Sequence, residues 1–306
     1  LVESPGCGEV LDGETHGKCS EFHDRTLPRS EACAQRLARR HWAPVSASPA
    51  ESPRKLDLFG MPIADIDTQG LLDHLFDSLD RGRGGWIVTA NLDILRRYVL
   101  DPAARELYGK ADLIVADGMP LVWASQLRHE PLPERVAGSS MTVDLLQRAA
   151  QTGRTVYLLG GKGDVAERAR VAVERDMPGI RIVGTHAPFI SSPITPAETD
   201  MVVEEIEKSS ADPDIILVGF GSPKQEHAIA ALRERYPKAW FIGIGITFSF
   251  LCEETPRAPQ WMQRTGLEWL HRMGQEPKRL TARYLRDDLP FFGLLMLESF
   301  RQGRER

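Results

Sequence analysis

The chain has 306 residues, 42% of them hydrophobic and 26% charged, with a formal charge of −5. This composition excludes a collagen-like, coiled-coil or wholly disordered protein, and the net negative charge gives no bulk electrostatic case for nucleic-acid binding. No window holds 18 uninterrupted apolar residues, and the longest run near the C-terminus, residues 289–297, is too short to cross a bilayer. The charge is unevenly spread: from Arg257 onward ten Lys/Arg face six Asp/Glu, a local +4 on a body of −9, which points to a local anionic partner.

Residues 1–54 show no sustained periodicity and are rich in Ser, Pro, Glu and Arg, which predicts a mostly disordered extension with a short helix at about 31–40. The opening residues lack a basic-then-apolar signal pattern, so secretion is not indicated. Cys7, Cys19 and Cys33 lie here with His16 and His23, but no CxxC pair occurs anywhere, and reduced thiols in a cytoplasmic protein are the expectation.

From Leu56, short apolar runs alternate with amphipathic patterns. A helix is predicted over 68–80, then a strand over 86–89, a helix over 92–100, a strand over 112–116 and a helix over 119–126. A helix over 141–151 leads to a strand over 155–159, one over 165–175 to a strand over 180–183, and one over 196–208 to a strand over 214–218. The last such unit is a helix over 224–235 and a strand over 240–244. This alternation predicts βαβ units and a mainly parallel sheet buried on both faces, with ligands beyond the carboxyl ends of the strands. Residues 256–306 change character to helical, basic and aromatic, a separate appendage to an α/β domain at 55–255.

Chemistry-bearing residues cluster after the predicted strands. Thr89-Ala-Asn91 suits a helix cap or a site. Asp117-Gly118 ends a strand, where a carboxylate either caps the next helix or serves as a general base, and where the glycine admits a ligand. The turns at Gly160-Gly161 and at Gly219 to Glu226 open helices, where backbone N–H groups face an anion. Pro223 suits a first helical turn, and Lys224 and Gln225 would project from it toward a phosphate or sugar. The first glycine turn also invites a nicotinamide oxidoreductase, but the next strand runs into Gly184-Thr-His186 without the acidic residue that would hold a ribose. Of two DxD strings, Asp67 suits a helix cap, and Asp212 and Asp214 start a strand at the end of the sheet away from ligands, so no metal site is expected.

In this order the strings resemble the WecG/TagA/CpsF glycosyltransferases, glycosyltransferase family 26. The matches run from about Leu56 to Tyr284: Thr89-Ala-Asn91, Ala116 to Met119, Glu134-Arg135 with Gly138, Leu158 to Gly161, Gly219 to Glu226, Gly243-Ile-Gly245, Arg257-Ala-Pro259, Gly266 to Trp269, Arg272, and Glu276-Pro277 ahead of Arg279, Arg283 and Tyr284. The resemblance implies a Rossmann-like α/β fold and an inverting transfer of a sugar from a UDP-sugar to a polyprenyl-diphosphate-linked sugar. The donor sugar would be N-acetylmannosamine, its uronic acid or glucose. The reaction would need neither metal nor cofactor and would run at the inner face of the cytoplasmic membrane in cell-surface polysaccharide assembly.

By the same resemblance Asp117 is the catalytic base and Thr89 its active-site neighbour. Asn91, Gly118, Arg135, Gly160, Gly161, Gly221, Pro223, Lys224, Gln225 and Glu226 form the substrate pocket, and Arg272, Arg279 and Arg283 close over it beside the membrane. Four departures stand out: Ser249 where the family commonly has Asp, Cys252-Glu253 for Ala-Gly, Ser140 for Asp and His271 for Tyr. Ser249 and Ser140 motivate a further alternative, a membrane-bound assembly protein without turnover, against which the intact Asp117 argues. The basic, aromatic C-terminus, including Phe291, Phe292, Arg301 and Arg304, suits a bilayer surface. A packed core helix or a contact between copies of the chain is the competing use.

Overall fold

The computed structural model describes residues 53–305, apart from the side chains of Arg264 and Arg279. The expected extension, its helix at 31–40 and its three cysteines lie outside the described residues.

The chain enters through a hairpin that the strand predictions did not include, β1 (Lys55–Leu58) and β2 (Met61–Ala64), joined by Phe59 and Gly60 with φ of 55° and 84°. Two left-handed residues are what a tight two-residue hairpin turn demands. Alternate side chains Leu56, Leu58, Met61 and Ile63 are buried and join the main core.

The main sheet has six strands: β3 (Gly85–Ala90), β4 (Leu113–Ala116), β5 (Thr155–Gly160), β6 (Arg181–His186), β7 (Ile215–Gly219) and β8 (Trp240–Gly243). Their order is β4-β3-β8-β7-β5-β6, and every pair is parallel. Parallel neighbours need helical crossovers that cover both faces. That explains why all residues of β3, β4, β5, β7 and β8 are buried and why these strands read as unbroken apolar runs. Edge strand β6 is only partly covered.

Seven predicted helices are present: α1 (Thr68–Asp80), α2 (Leu92–Leu100), then, past the unforeseen α3 (Pro102–Gly109), α4 (Met119–Leu127), α5 (Gly138–Thr152), α6 (Val165–Asp176), α7 (Pro196–Glu207) and α8 (Lys224–Leu232). Asp67 caps α1, its Oδ1 accepting the Gly70 N–H at 2.7 Å, as its position predicts. Asp101 and Pro102 open α3 as cap and first-turn proline.

After β8 come α9 (Thr247–Leu251), α10 (Gln260–Arg264), α11 (Glu268–Gln275), α12 (Pro277–Thr281), a π-helical turn over Ala282–Asp288 and α13 (Leu289–Arg304). Helix α13 packs on α4 through Phe291, Leu295, Ser299 and Gly303, one buried stripe at a spacing of four residues. A Cβ on Gly303 would stand 2.1 Å from the Leu127 carbonyl, so the helices meet backbone to backbone there. Phe291 therefore belongs to the core and is unavailable to a bilayer, and Phe292 leans edge-on against Trp123 with ring centres 6.1 Å apart. The exposed apolar side chains of this region are Leu285, Leu289, Leu294, Leu297 and Phe300, with Trp261, Trp269 and Leu270 further back.

Candidate active site

β3 and β4 lie side by side in register, Ala90 opposite Ala116, so the residues after them emerge together at the carboxyl edge. Asp117 follows β4, and its N–H donates to the Ala90 carbonyl at 2.8 Å. The helix-cap reading of Asp117 fails, because α4 is capped by Gly118 and no side chain among the described residues caps it. The carboxylate instead faces the start of α5, where the nearby Gly138 N–H favours its ionised form. A Cβ on Gly138 would stand 3.3 Å from Thr89 Oγ1 and 3.4 Å from Asp117 Oδ2, so a side chain there would crowd both groups, and the start of α5 lies close against them. Gly118 itself holds an ordinary extended backbone, φ −103°, with a virtual Cβ 3.4 Å from Asn91 Cα. Asn91 caps α2, its Oδ1 accepting the Ile94 N–H at 3.1 Å.

Burial lifts the Asp117 carboxyl from the usual aspartate range to about 6. Arg135, the Gly138 N–H and Arg272 pull it back toward ionisation, and Glu268 pushes it up. Glu268 and Arg272 are one helical turn apart on α11, so the C-terminal segment delivers charge to the carboxyl edge of the sheet. Arg135 Nη1 donates to Glu268 Oε2 at 3.2 Å, and Arg257 Nη2 donates to Ser140 Oγ at 2.7 Å. Arg257 and Glu268 belong to strings quoted above, yet neither was assigned a role there, because nothing local shows that Arg135 pairs with a residue 133 positions away.

The second group of expected site residues surrounds the turns after β5, β7 and β8. Gly160, Gly161 and Gly221 take φ of 104°, 87° and 78°, conformations that side chains disfavour. Two of the N–H groups expected to face an anion are bonded within the protein: Gly161 N–H donates to the Gly219 carbonyl at 2.9 Å and Gly221 N–H to Gln225 Oε1 at 3.2 Å. Gln225 is buried and its amide is spent within the protein. Oε1 also accepts the Gly245 N–H at 3.1 Å, and Nε2 donates to Glu226 Oε1 at 3.0 Å. The amide lies so close to β8 that a Cβ on Gly243 would stand 2.5 Å from it. Gly243 returns the connection to the first group, its carbonyl lying 3.4 Å from Thr89 Oγ1.

Burial raises the pKa of Glu226. Pro223 stands at the cap position, one residue ahead of the helix. Lys224 is engaged within the protein, its Nζ donating to the Ile190 carbonyl and lying 4.9 Å from the Phe189 ring centre, in the segment that follows β6. Arg283 lies 3.9 Å from Asp93 in the first turn of α2 and 3.7 Å from Asp288, with its guanidinium over the Tyr284 ring. The Arg279 side chain lies outside the described residues. Ser249 Oγ donates to Glu254 Oε2 at 2.8 Å, and Glu254 in turn pairs with Arg168. Asp214 serves the opposite, amino edge, accepting the Thr155 N–H at 2.8 Å and pairing with Arg154 at 3.1 Å.

Residues 56–305 match the Glycosyl transferase WecG/TagA/CpsF family. The chain is also 31% identical over 220 residues to the N-acetylglucosaminyldiphosphoundecaprenol N-acetyl-beta-D-mannosaminyltransferase of Bacillus spizizenii (strain ATCC 23059 / NRRL B-14472 / W23), covering 72% of this chain and 82% of that one. A parallel α/β sheet with a helical C-terminal segment, a match across nearly all described residues and a curated relative of this identity lead to one conclusion: the chain belongs to the WecG/TagA/CpsF family and is a glycosyltransferase.

Proposed function

We propose that the protein transfers an N-acetylmannosamine-class sugar from a UDP-sugar to a polyprenyl-diphosphate-linked N-acetylglucosamine, with inversion and without a metal. The relative's name supplies the acceptor and the sugar class. The observation that carries the reading is the Asp117 carboxyl, lifted to about 6 and set between Thr89, the first N–H of α5 and a group of arginines.

A sugar hydroxyl is a poor nucleophile at neutral pH. A carboxylate with a pKa near 6 is ionised there and basic enough to take the hydroxyl proton as the new C–O bond forms. The bond to UDP breaks on the opposite face of the anomeric carbon, and the departing diphosphate gains negative charge. The N–H groups of Gly161 and Gly221 are already bonded. The compensating charge therefore falls to Arg135, Arg257 and Arg272, the cations around Asp117.

The acceptor is a lipid, and no helix among the described residues is long and apolar enough to span a membrane. The reading therefore includes a peripheral contact with the inner leaflet through Leu289, Leu294, Leu297 and Phe300, flanked by Arg301 and Arg304. The test is UDP release from a panel of UDP-sugars with a polyprenyl-diphosphate-N-acetylglucosamine acceptor. Release that requires both UDP-N-acetylmannosamine and the acceptor is expected. Release with no donor in the panel, or turnover only after a divalent cation is added, overturns the corresponding part.

A further inference from the structure

Arg135 and Arg257 converge on a single carboxylate. Arg135 Nη1 donates to Glu268 Oε2 at 3.2 Å, and Arg257 Nε stands 3.9 Å from Glu268 Oε1, beyond hydrogen-bond range. The side chains of Arg135, Arg257 and Glu268 are 16%, 26% and 17% exposed, so all three are largely withdrawn from water. Two guanidiniums drawn together in such a place repel each other. Burial, and then Arg135, press the Arg257 pKa downward while Glu268 and Asp117 oppose. Even so, Arg257 Nε is buried with no hydrogen-bond partner among the described residues. An unpaired buried donor is costly, and one carboxylate carries a single negative charge against two guanidiniums and reaches only Arg135 within hydrogen-bond distance. A diphosphate offers more negative charge and more acceptor oxygens.

We infer that Arg135 and Arg257 form a diphosphate-binding site, and that Glu268 is its internal stand-in, filling the site from within the chain and yielding it to an incoming diphosphate. This rests on the proposed function for the identity of the ligand, since both the UDP-sugar and the lipid acceptor carry a diphosphate. The arrangement makes Glu268 a competitor, whereas a bridge that only holds the arginines in place would make it a helper. The two roles predict opposite signs.

The experiment is calorimetric titration of the full chain and of Glu268→Gln with inorganic pyrophosphate, UDP and a short-chain prenyl diphosphate. Glu268→Gln should bind pyrophosphate about five- to tenfold more tightly, the effect of removing a competing, partly exposed ion pair. Glu268→Asp, which keeps the charge but withdraws it by one methylene, should fall between. Arg257→Gln should weaken binding and abolish the gain when combined with Glu268→Gln. Where pyrophosphate binding tightens, a parallel gain toward UDP but not the prenyl diphosphate, or the reverse, identifies which substrate uses the site, and either supports it. Equal or weaker pyrophosphate binding by Glu268→Gln overturns the inference. If that result comes from a chain that still releases UDP with acceptor, only the inference falls. If pyrophosphate binding tightens but no UDP-sugar is turned over, the donor reading falls and the anion site stands.

Discussion

The two edges of the one parallel sheet treat aspartates in opposite ways. At the amino edge, Asp112 accepts the Trp86 N–H and pairs with Arg233, each at 2.8 Å, and Asp214 does the same with the Thr155 N–H and Arg154. Each carboxylate joins neighbouring segments and is held by a donor and a cation. At the carboxyl edge, Asp117 has the N–H of Gly138, but burial and Glu268 outweigh the arginines nearby, and its pKa rises to about 6. The amino edge uses its carboxylates to stabilise the sheet. The carboxyl edge holds one at a cost, and a group kept near neutrality in its proton affinity is suited to proton transfer.

The sharpest way to break this contrast is a pair of isosteric changes. Asp117→Asn should lower UDP release with acceptor by about two to four orders of magnitude. It should also leave the fold as stable or more so at neutral pH. An aspartate whose folded pKa lies above its usual 3.8 is less stable folded once ionised, so its contribution falls as pH rises toward about 6 and stays lost above it. Asp214→Asn should do the reverse, costing about 1–2 kcal/mol in denaturant unfolding with little change in turnover. A stability loss at Asp117 together with near-normal turnover would erase the distinction between the edges.

A change of intermediate size separates the two faces of α13. Leu295 is fully buried against α4, and Leu295→Ala should cost about 2–5 kcal/mol. Leu297 is 51% exposed, and Leu297→Ser should stay within about 0.5 kcal/mol while weakening sedimentation with anionic liposomes. Equal melting losses at both positions would mean that the outer face is packed rather than free.

The smallest effect concerns the acid limb of the pH–rate profile, expected to rise through about pH 6 as Asp117 ionises. Arg272 favours the ionised form, so Arg272→Gln should move that limb to higher pH. A limb that does not move would place Arg272 too far from Asp117 to act on it in solution.

Much of the fold could be read along the chain because a parallel sheet writes itself as apolar runs between amphipathic helices. Helices 68–80 and 92–100 matched to the residue. The hairpin at 55–64 escaped although Leu56, Leu58, Met61 and Ile63 alternate correctly, because four-residue strands are brief and Phe-Gly is not one of the usual turn pairs. Helix α3 escaped despite its Asp101-Pro102 start. Phe291 was misread because residues 289–297 are apolar on every side, which hides the four-residue stripe that α13 buries. The places of Thr89 and Asp117 at the carboxyl edge could be read from the sequence, because Thr89 lies near the end of one strong strand and Asp117 directly follows another. The partners of Asp117 could not, since Gly138, Glu268 and Arg272 reach it only through the tertiary fold.

The Gln225 amide has a mechanical consequence. One oxygen accepts N–H groups from the turns after β7 and β8, and the nitrogen is pinned by Glu226. Two loops on neighbouring strands thus share a single fastener, and neither shifts without loosening the other's bond. They behave as one stiff unit, so adaptation to substrates of different shape falls to less tightly held parts of the carboxyl edge, such as α11, which brings charge toward Asp117 without burying a single residue.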